Sequence, residues 1–390
     1  MRIRYFTGGR WRPVLAVIAL VALSVPAALA QVRVYPGGGG YCPTPPMLGT
    51  PFVSPTPSPT PSPTPTPPEP GRDLAAPPET GQAPEPSQVV SSAGLGESTA
   101  SGRSYGAYID MAAPVSMYRL RFDSAYGMNR PDRNEFFYAK CGCLKFPNPL
   151  APADPRAAGP TTPDGRANAN VDFQVLSNYL ELQLAKQLSV FVDVPVRWIN
   201  PDATSNQVGL GDISFGAKYA FIYTDCTVVS LQVRAWAPTG EPGEGLGTNH
   251  WTIQPSLLLW QKLSDRLYLQ GQIGDWIPIG GTDFAGQVID YGVALSYVAL
   301  DTGNFRVIPV VEALGWTALE GRELALPENV IHDTAGQTIV NGKFGIRFGF
   351  GQLNQPGLLS NSDLYVGYSR ALTGDVWYKD MFRIEYRLRF

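Results

Sequence analysis

The chain has 390 residues, with 30 Lys plus Arg against 33 Asp plus Glu, a formal net charge of -3 and only 16 % charged residues. The near-neutral balance, with basic residues scattered singly, argues against a nucleic-acid partner. No interior run of about twenty apolar residues occurs, which excludes a helical membrane protein.

The first thirty residues stand apart. Arg2, Arg4, Arg10 and Arg12 precede VLAVIALVALSVPAALA, which ends in Ala28-Leu29-Ala30. A charged start, an apolar run and a small-x-small end predict a signal peptide over 1–30, cleaved before Gln31. Export to an oxidising compartment permits disulfides. Four cysteines are available, Cys42, Cys141, Cys143 and Cys226, and their pairing is left open. A metal site would need more soft ligands, and the chain has two His, so no metal and no cofactor are expected.

Residues 31–103 read as a Pro/Thr/Ser-rich disordered tether, with SPTPSPTPSPTPTPPEP at its centre. Such a segment buries too little apolar surface to fold and stays extended. At about 3.1 Å per residue, Pro43 to Pro70 would span roughly 85 Å.

From 104 to 390 the expected unit is a closed antiparallel transmembrane β-barrel of about 12 strands. In KQLSVFVDVPVRWI, Val190, Val192, Val194, Val196 and Trp198 share one face, and Phe191, Asp193, Pro195 and Arg197 the other. That is the period of a strand buried on one side. Similar stretches recur at 115–124, 173–184, 188–199, 210–223, 226–237, 250–260, 265–276, 287–299, 304–316, 338–350, 361–371 and 379–390. FFYAKCG at 136–142 competes with the first of them. Strands of 11 to 14 residues exceed the usual length in soluble sheets and suit a bilayer crossing. Connections mostly alternate long and short, as in outer-membrane barrels. Pro195 and Pro309 fall inside strands and must mark irregularities in the ladder. An even strand count places both termini on the periplasmic side.

In such a wall, apolar side chains face lipid and polar ones the lumen. The lumen-facing candidates are Arg119, Arg121, Glu181, Asp193, Arg197, Asp212, Lys218, Arg234, Asp290, Arg306, Glu312, Lys343, Arg347, Arg383, Glu385 and Arg387. The set tilts positive, which would favour anionic solutes along an open path. Trp198, Trp236, Trp260, Trp276 and Trp316 sit at strand ends, as interfacial tryptophans do. The final strand, MFRIEYRLRF, alternates to Phe390, which reads as an outer-membrane assembly signal.

GLGDISFGAKYAF, residues 209–221, resembles the glycine–aspartate strand of outer-membrane barrels in the transporter or phenol meta-pathway degradation family. The resemblance implies a solute channel for hydrophobic or aromatic compounds and carries onto Gly211, Asp212, Gly216, Lys218 and Tyr219. Gly211 and Gly216 would relieve crowding in the wall. The Pro-rich tether and the insert RPDRNEFFYAKCGC resemble those of planctomycete-type barrels.

The function expected is a passive outer-membrane channel or transporter for small solutes. Its partners would be outer-membrane lipids, the barrel assembly machinery and, through the tether, the cell wall. The alternative is a structural anchor with a salt-bridged, plugged interior. No Ser and acid stand at a defined spacing from His250 or His332, so an enzyme is not expected. A soluble sandwich would have shorter strands.

Overall fold

The computed structural model describes residues 104–128, 170–202, 204–281, 285–325, 330–351, 361–374 and 376–390. The expected signal peptide, the tether, the stretch 136–142 and Cys42, Cys141 and Cys143 lie outside these residues.

The strands are β1 (Met117–Met128), β2 (Val171–Ala185), β3 (Leu188–Pro201), β4 (Gln207–Leu210), β5 (Ile213–Tyr223), β6 (Thr227–Ala237), β7 (Trp251–Lys262) and β8 (Leu267–Ile279). They continue with β9 (Val288–Tyr297), β10 (Leu300–Asp301), β11 (Phe305–Ala318), β12 (Arg322–Ala325), β13 (Val330–Asp333), β14 (Thr338–Phe350), β15 (Ser362–Ala371) and β16 (Asp380–Arg389). Fourteen of them form one sheet, and β12 with β13 makes a separate ribbon. Each wall strand pairs antiparallel with its sequence neighbours. The wall closes through β16 against β1, where Leu388 faces Tyr118 and Ile384 faces Phe122. β4 with β5, and β9 with β10, are the halves of two interrupted strands, so the wall is twelve strands round.

Both interruptions face a proline. β3 pairs with β4 from Val196 onward and with β5 up to Asp193, so Pro195 lies opposite the gap at Gly211-Asp212. There its carbonyl still accepts from the Gly211 N–H at 2.9 Å. Pro309 sits between the Val307 partner on β10 and the Val310 partner on β9. A residue with no N–H cannot complete a ladder on that side, so the neighbour breaks where the proline stands.

Short connections such as 186–187, 224–226, 263–266 and 302–304 gather at one rim, with Met117 and Phe390. The longer connections, including β6–β7 and the β12–β13 ribbon, gather at the other. Round the outside run exposed apolar side chains: Phe122, Leu180, Phe215, Tyr219, Leu231, Val233, Leu257, Val293, Val311, Phe344, Phe382 and Ile384. A soluble protein would not expose so continuous an apolar band. A closed sheet in lipid needs one and leaves no unpaired strand edge. The architecture is that of an outer-membrane barrel.

Candidate functional site

The site is the barrel interior, which has two differently built sides. On the β2–β3–β5 side the wall satisfies itself. Glu181 is fully buried, and its carboxylate accepts from Lys218 Nζ at 3.0 and 3.2 Å, Tyr179 Oη at 2.6 Å and Ser189 Oγ at 2.5 Å. Beside it Asp193 accepts from Ser177 Oγ at 2.6 Å. Phe191 stacks on Tyr179, ring centroids 5.5 Å apart, and lies over Gly216. A Cβ on Gly216 would clash with the Val233 carbonyl oxygen and come within 2.6 Å of the Phe191 ring, so the motif glycine makes room for both the neighbouring strand and an inward aromatic. Lys218 is the buried partner of Glu181, and Tyr219 of the same motif points outward, half exposed.

On the β14–β15–β16–β1 side the wall is completed by another part of the chain. Ser104–Ser116, just before β1, lies inside the barrel, with most of its residues buried. Both its ends sit near the short-turn rim. Ser104 is held by Arg387, two residues from the end of β16, and the Ser116 carbonyl accepts from the Phe390 N–H at 3.1 Å. Between them the segment climbs to mid-barrel and returns.

Arginines grip its backbone carbonyls. Arg387 donates to Ser104 O at 3.0 Å and Gly106 O at 2.5 Å, Arg347 to Tyr105 O at 2.8 Å, and Arg383 to Ala107 O at 2.5 Å. Acceptors on other wall strands, β11 and β8, take its amides. Glu312 accepts from Ala107 N at 2.6 Å and Tyr108 N at 2.9 Å, and Gln270 from Gly106 N at 2.6 Å. The Tyr108 ring lies between two cations, Lys343 Nζ at 3.7 Å and the Arg383 guanidinium at 3.6 Å. Asp110 pairs with Arg234 at 2.7 Å and takes a bond from Gln232 at 2.9 Å.

The arginines also pair with wall carboxylates. Arg347 meets Asp363, and Glu385 at 2.8 Å; Arg387 meets Glu385 at 2.7 Å, Arg389 meets Asp363 at 2.7 Å, and Arg383 meets Asp123 at 2.6 Å. Arg121 is looser, 3.6 Å from Asp123 and 4.0 Å from Asp193. Arg119 stands over the Tyr179 ring at 4.1 Å and links the two sides. Asp290 accepts from Gln254 and Gln272. Arg306 is buried across from Gly349 and has no ion pair among the described residues.

At the long-loop rim the interior turns aromatic. Trp377 lies 4.9 Å from Trp316 and stacks on Trp276 at 5.8 Å, and Trp276 meets Trp236 edge-on at 6.2 Å. Leu246 of the β6–β7 connection is buried in the same cluster. Asp212 holds that connection, accepting from Gly240 N at 3.0 Å, Thr248 N at 2.9 Å and Thr248 Oγ1 at 2.8 Å, while Arg197 donates to Leu246 O at 3.3 Å. Two titrating groups lie in connections outside the strands. Burial holds the Tyr378 phenol above its ordinary range and the His250 imidazole below its own. Among the described residues no cluster of His, Cys, Asp and Glu could hold a metal ion. Cys226, at the short-turn rim, is disulfide-bonded.

Two sequence expectations are corrected here. Of the five tryptophans expected at the membrane interface, only Trp198 faces out; Trp236, Trp260, Trp276 and Trp316 share the parity of the buried Gln232, Ser256, Gln270 and Glu312 and turn inward. Trp260 is fully buried and stacks on Tyr268, which in turn meets Tyr105. The positive tilt of the interior is also smaller than the sequence suggested. Asp123 and Asp363 join the buried carboxylates and Asp110 adds a partly buried one, against one added cation, Arg389. The lumen segment was missed altogether. Its only signal is negative: 104–116 lacks both the alternation of a strand and the proline density of the tether, and carries one charge.

Closure, an outward apolar band and a buried polar interior define a twelve-stranded transmembrane barrel. The family described as "Putative MetA-pathway of phenol degradation" matches residues 156–306. No curated protein matches the chain. Among solved structures, an outer membrane channel from Pseudomonas putida F1 is 13 % identical, covering 71 % of this chain and 96 % of its own, with a TM-score of 0.43. The translocator domain of autotransporter NalP from Neisseria meningitidis is 11 % identical, covering 72 % of this chain and 90 % of its own, with a TM-score of 0.41. The NanC porin is 8 % identical, covering 70 % of this chain and 100 % of its own, with a TM-score of 0.38. The likeness is loose, and the fold rests on the hydrogen-bonded closure of the wall itself.

Proposed function

We propose that the chain is a passive channel for small solutes across the outer membrane, described here with its lumen filled by Ser104–Ser116. The observation that carries this reading is the inner face. A barrel serving only as an anchor could fill its interior with apolar side chains, and buried ion pairs are poor sources of stability. A ring of fixed charges is what a solvated path uses. Hydrophobic or aromatic solutes would suit the Trp276, Trp316 and Trp377 cluster, and anionic ones the arginines on β14 and β16. The short-turn rim, where Ser104 and Phe390 lie, is periplasmic in this reading, and Phe390, exposed beyond β16, serves the assembly machinery.

The second reading is a structural anchor, tied toward the periplasm or cell wall through residues 31–103. The occupied interior favours it. Planar-bilayer recording of purified protein with heat-modifiable gel mobility separates the two. Discrete conductance steps are expected. Silence at every voltage, in protein shown to be folded and inserted and with Ser104–Ser116 both intact and altered, overturns the channel.

A further inference from the structure

Resting on the channel reading, we infer that Ser104–Ser116 is a displaceable plug, and that Arg347, Arg383 and Arg387 beneath it form an anion-binding constriction when it leaves. Three observations carry this. The first is topology. The segment enters and returns on the short-turn side, so it withdraws by the route it came and threads nothing. The end gripped by arginines, Ser104–Ala107, is also the end nearest the preceding chain, so a pull from that direction peels it first.

The second is the kind of bond. The arginines hold the segment by carbonyl oxygens, which carry partial charge, and not by carboxylates. Only Asp110 pairs with the wall as an ion. A solute carboxylate or phosphate would offer the same guanidinium donors full negative charge, a stronger acceptor. Ordering thirteen residues also costs conformational entropy, which offsets the hydrophobic gain from burying Tyr105, Ile109 and Met111, so the closed state need not be deep.

The third is charge balance. Arg347, Arg383, Arg387 and Arg389 share three carboxylates, Asp123, Asp363 and Glu385. Arg119 and Arg121 add further positive charge on β1. The carbonyls of residues 104–107 complete this strip, and without them it is a net positive surface facing water.

The test is bilayer recording in a KCl gradient on three proteins: wild type, a variant altered only in the plug (Ala107→Pro with Tyr108→Ala), and that variant with Arg347, Arg383 and Arg387 all changed to Gln. Ala107→Pro removes the N–H given to Glu312, and Tyr108→Ala removes the ring between the two cations, while the wall charges stay. The wild type should open rarely. The plug variant should conduct at least fivefold more on average, with a reversal potential showing chloride preference. The arginine changes should cut the chloride-to-potassium permeability ratio at least threefold.

If the wild type already conducts as much as the plug variant, or the opened pore ignores the arginine changes, the inference falls and the channel reading stands. If neither wild type nor plug variant ever conducts, the channel reading falls with it. Should the variants fail to fold, chymotrypsin on native wild type decides. Cleavage after Tyr105 or Tyr108 faster than barrel unfolding supports a plug that leaves, and cleavage only on unfolding overturns it.

Discussion

The two sides of the barrel interior hold the same kinds of residue and solve their charges in opposite ways. On the β2–β3–β5 side, Glu181 collects Lys218, Tyr179 and Ser189, and every partner belongs to the wall. On the β14–β15–β16–β1 side, the wall carboxylates leave guanidinium donors over, and the carbonyls of Ser104 to Ala107 take them. One side settles its charges within the wall, although Met111 and Val115 of the lumen segment share a buried cluster with its Tyr179 and Phe191. The other is finished only while another segment of the chain lies on it. Buried charge alone therefore says little about function; what matters is whether its partners are part of the same rigid element.

The sharpest way to break the contrast is Lys218→Met. It leaves a fully buried carboxylate without its cation, and should cost about 3–5 kcal/mol. The cost should appear as a lower denaturation midpoint of the heat-modifiable barrel, with the plug's chymotryptic sensitivity unchanged. Adding Glu181→Leu should recover most of the loss, because the remaining hydroxyls keep no charge to serve. A Lys218→Met barrel as stable as wild type would mean that water reaches Glu181 and that the two sides do not differ as described. A smaller step in the same direction is Tyr179→Phe. Its hydroxyl donates to Glu181 at 2.6 Å, and removing a bond to a charged group should cost about 1.5–3 kcal/mol by the same measurement.

Much of the wall was legible because two signals reinforced each other. Alternation placed Val192 and Val194 on one face and Asp193 on the other, and the twelve stretches at 115–390 each carry a wall strand. Pro195 and Pro309 announced the two gaps because a missing N–H has the same consequence in any sheet. The tryptophans misled because residue type was weighed above parity. Trp316 lies four residues from Glu312 and Trp276 four from Gln272, so each had to share its polar neighbour's face. The lumen segment was illegible for a different reason. Nothing in SYGAYIDMAAPVS repeats, and what defines it is the wall's demand for acceptors. Asp123 and Asp363 went unremarked because each lies beside stronger apolar signals, Phe122 and Leu364.

The finest test uses one chemical change on both sides. Tyr108 and Tyr179 each present a ring to an arginine, at 3.6 Å to Arg383 and 4.1 Å to Arg119. Their hydroxyls differ. That of Tyr179 is bonded to Glu181, whereas that of Tyr108 is buried with no hydrogen-bond partner among the described residues. Tyr108→Phe keeps the ring between Lys343 and Arg383 and removes a desolvated, unbonded hydroxyl. It should leave the barrel's denaturation midpoint in place and slow chymotryptic cleavage of the plug, a gain of up to about 1 kcal/mol in local stability. The sign is the informative part, since the same substitution at Tyr179 must destabilise. If Tyr108→Phe instead loosens the segment, its hydroxyl is bonded to the wall, and the plug is held by specific side-chain contact as firmly as Glu181 is. The distinction between a finished side and a covered one would then fail at the residue where it is most exposed to test.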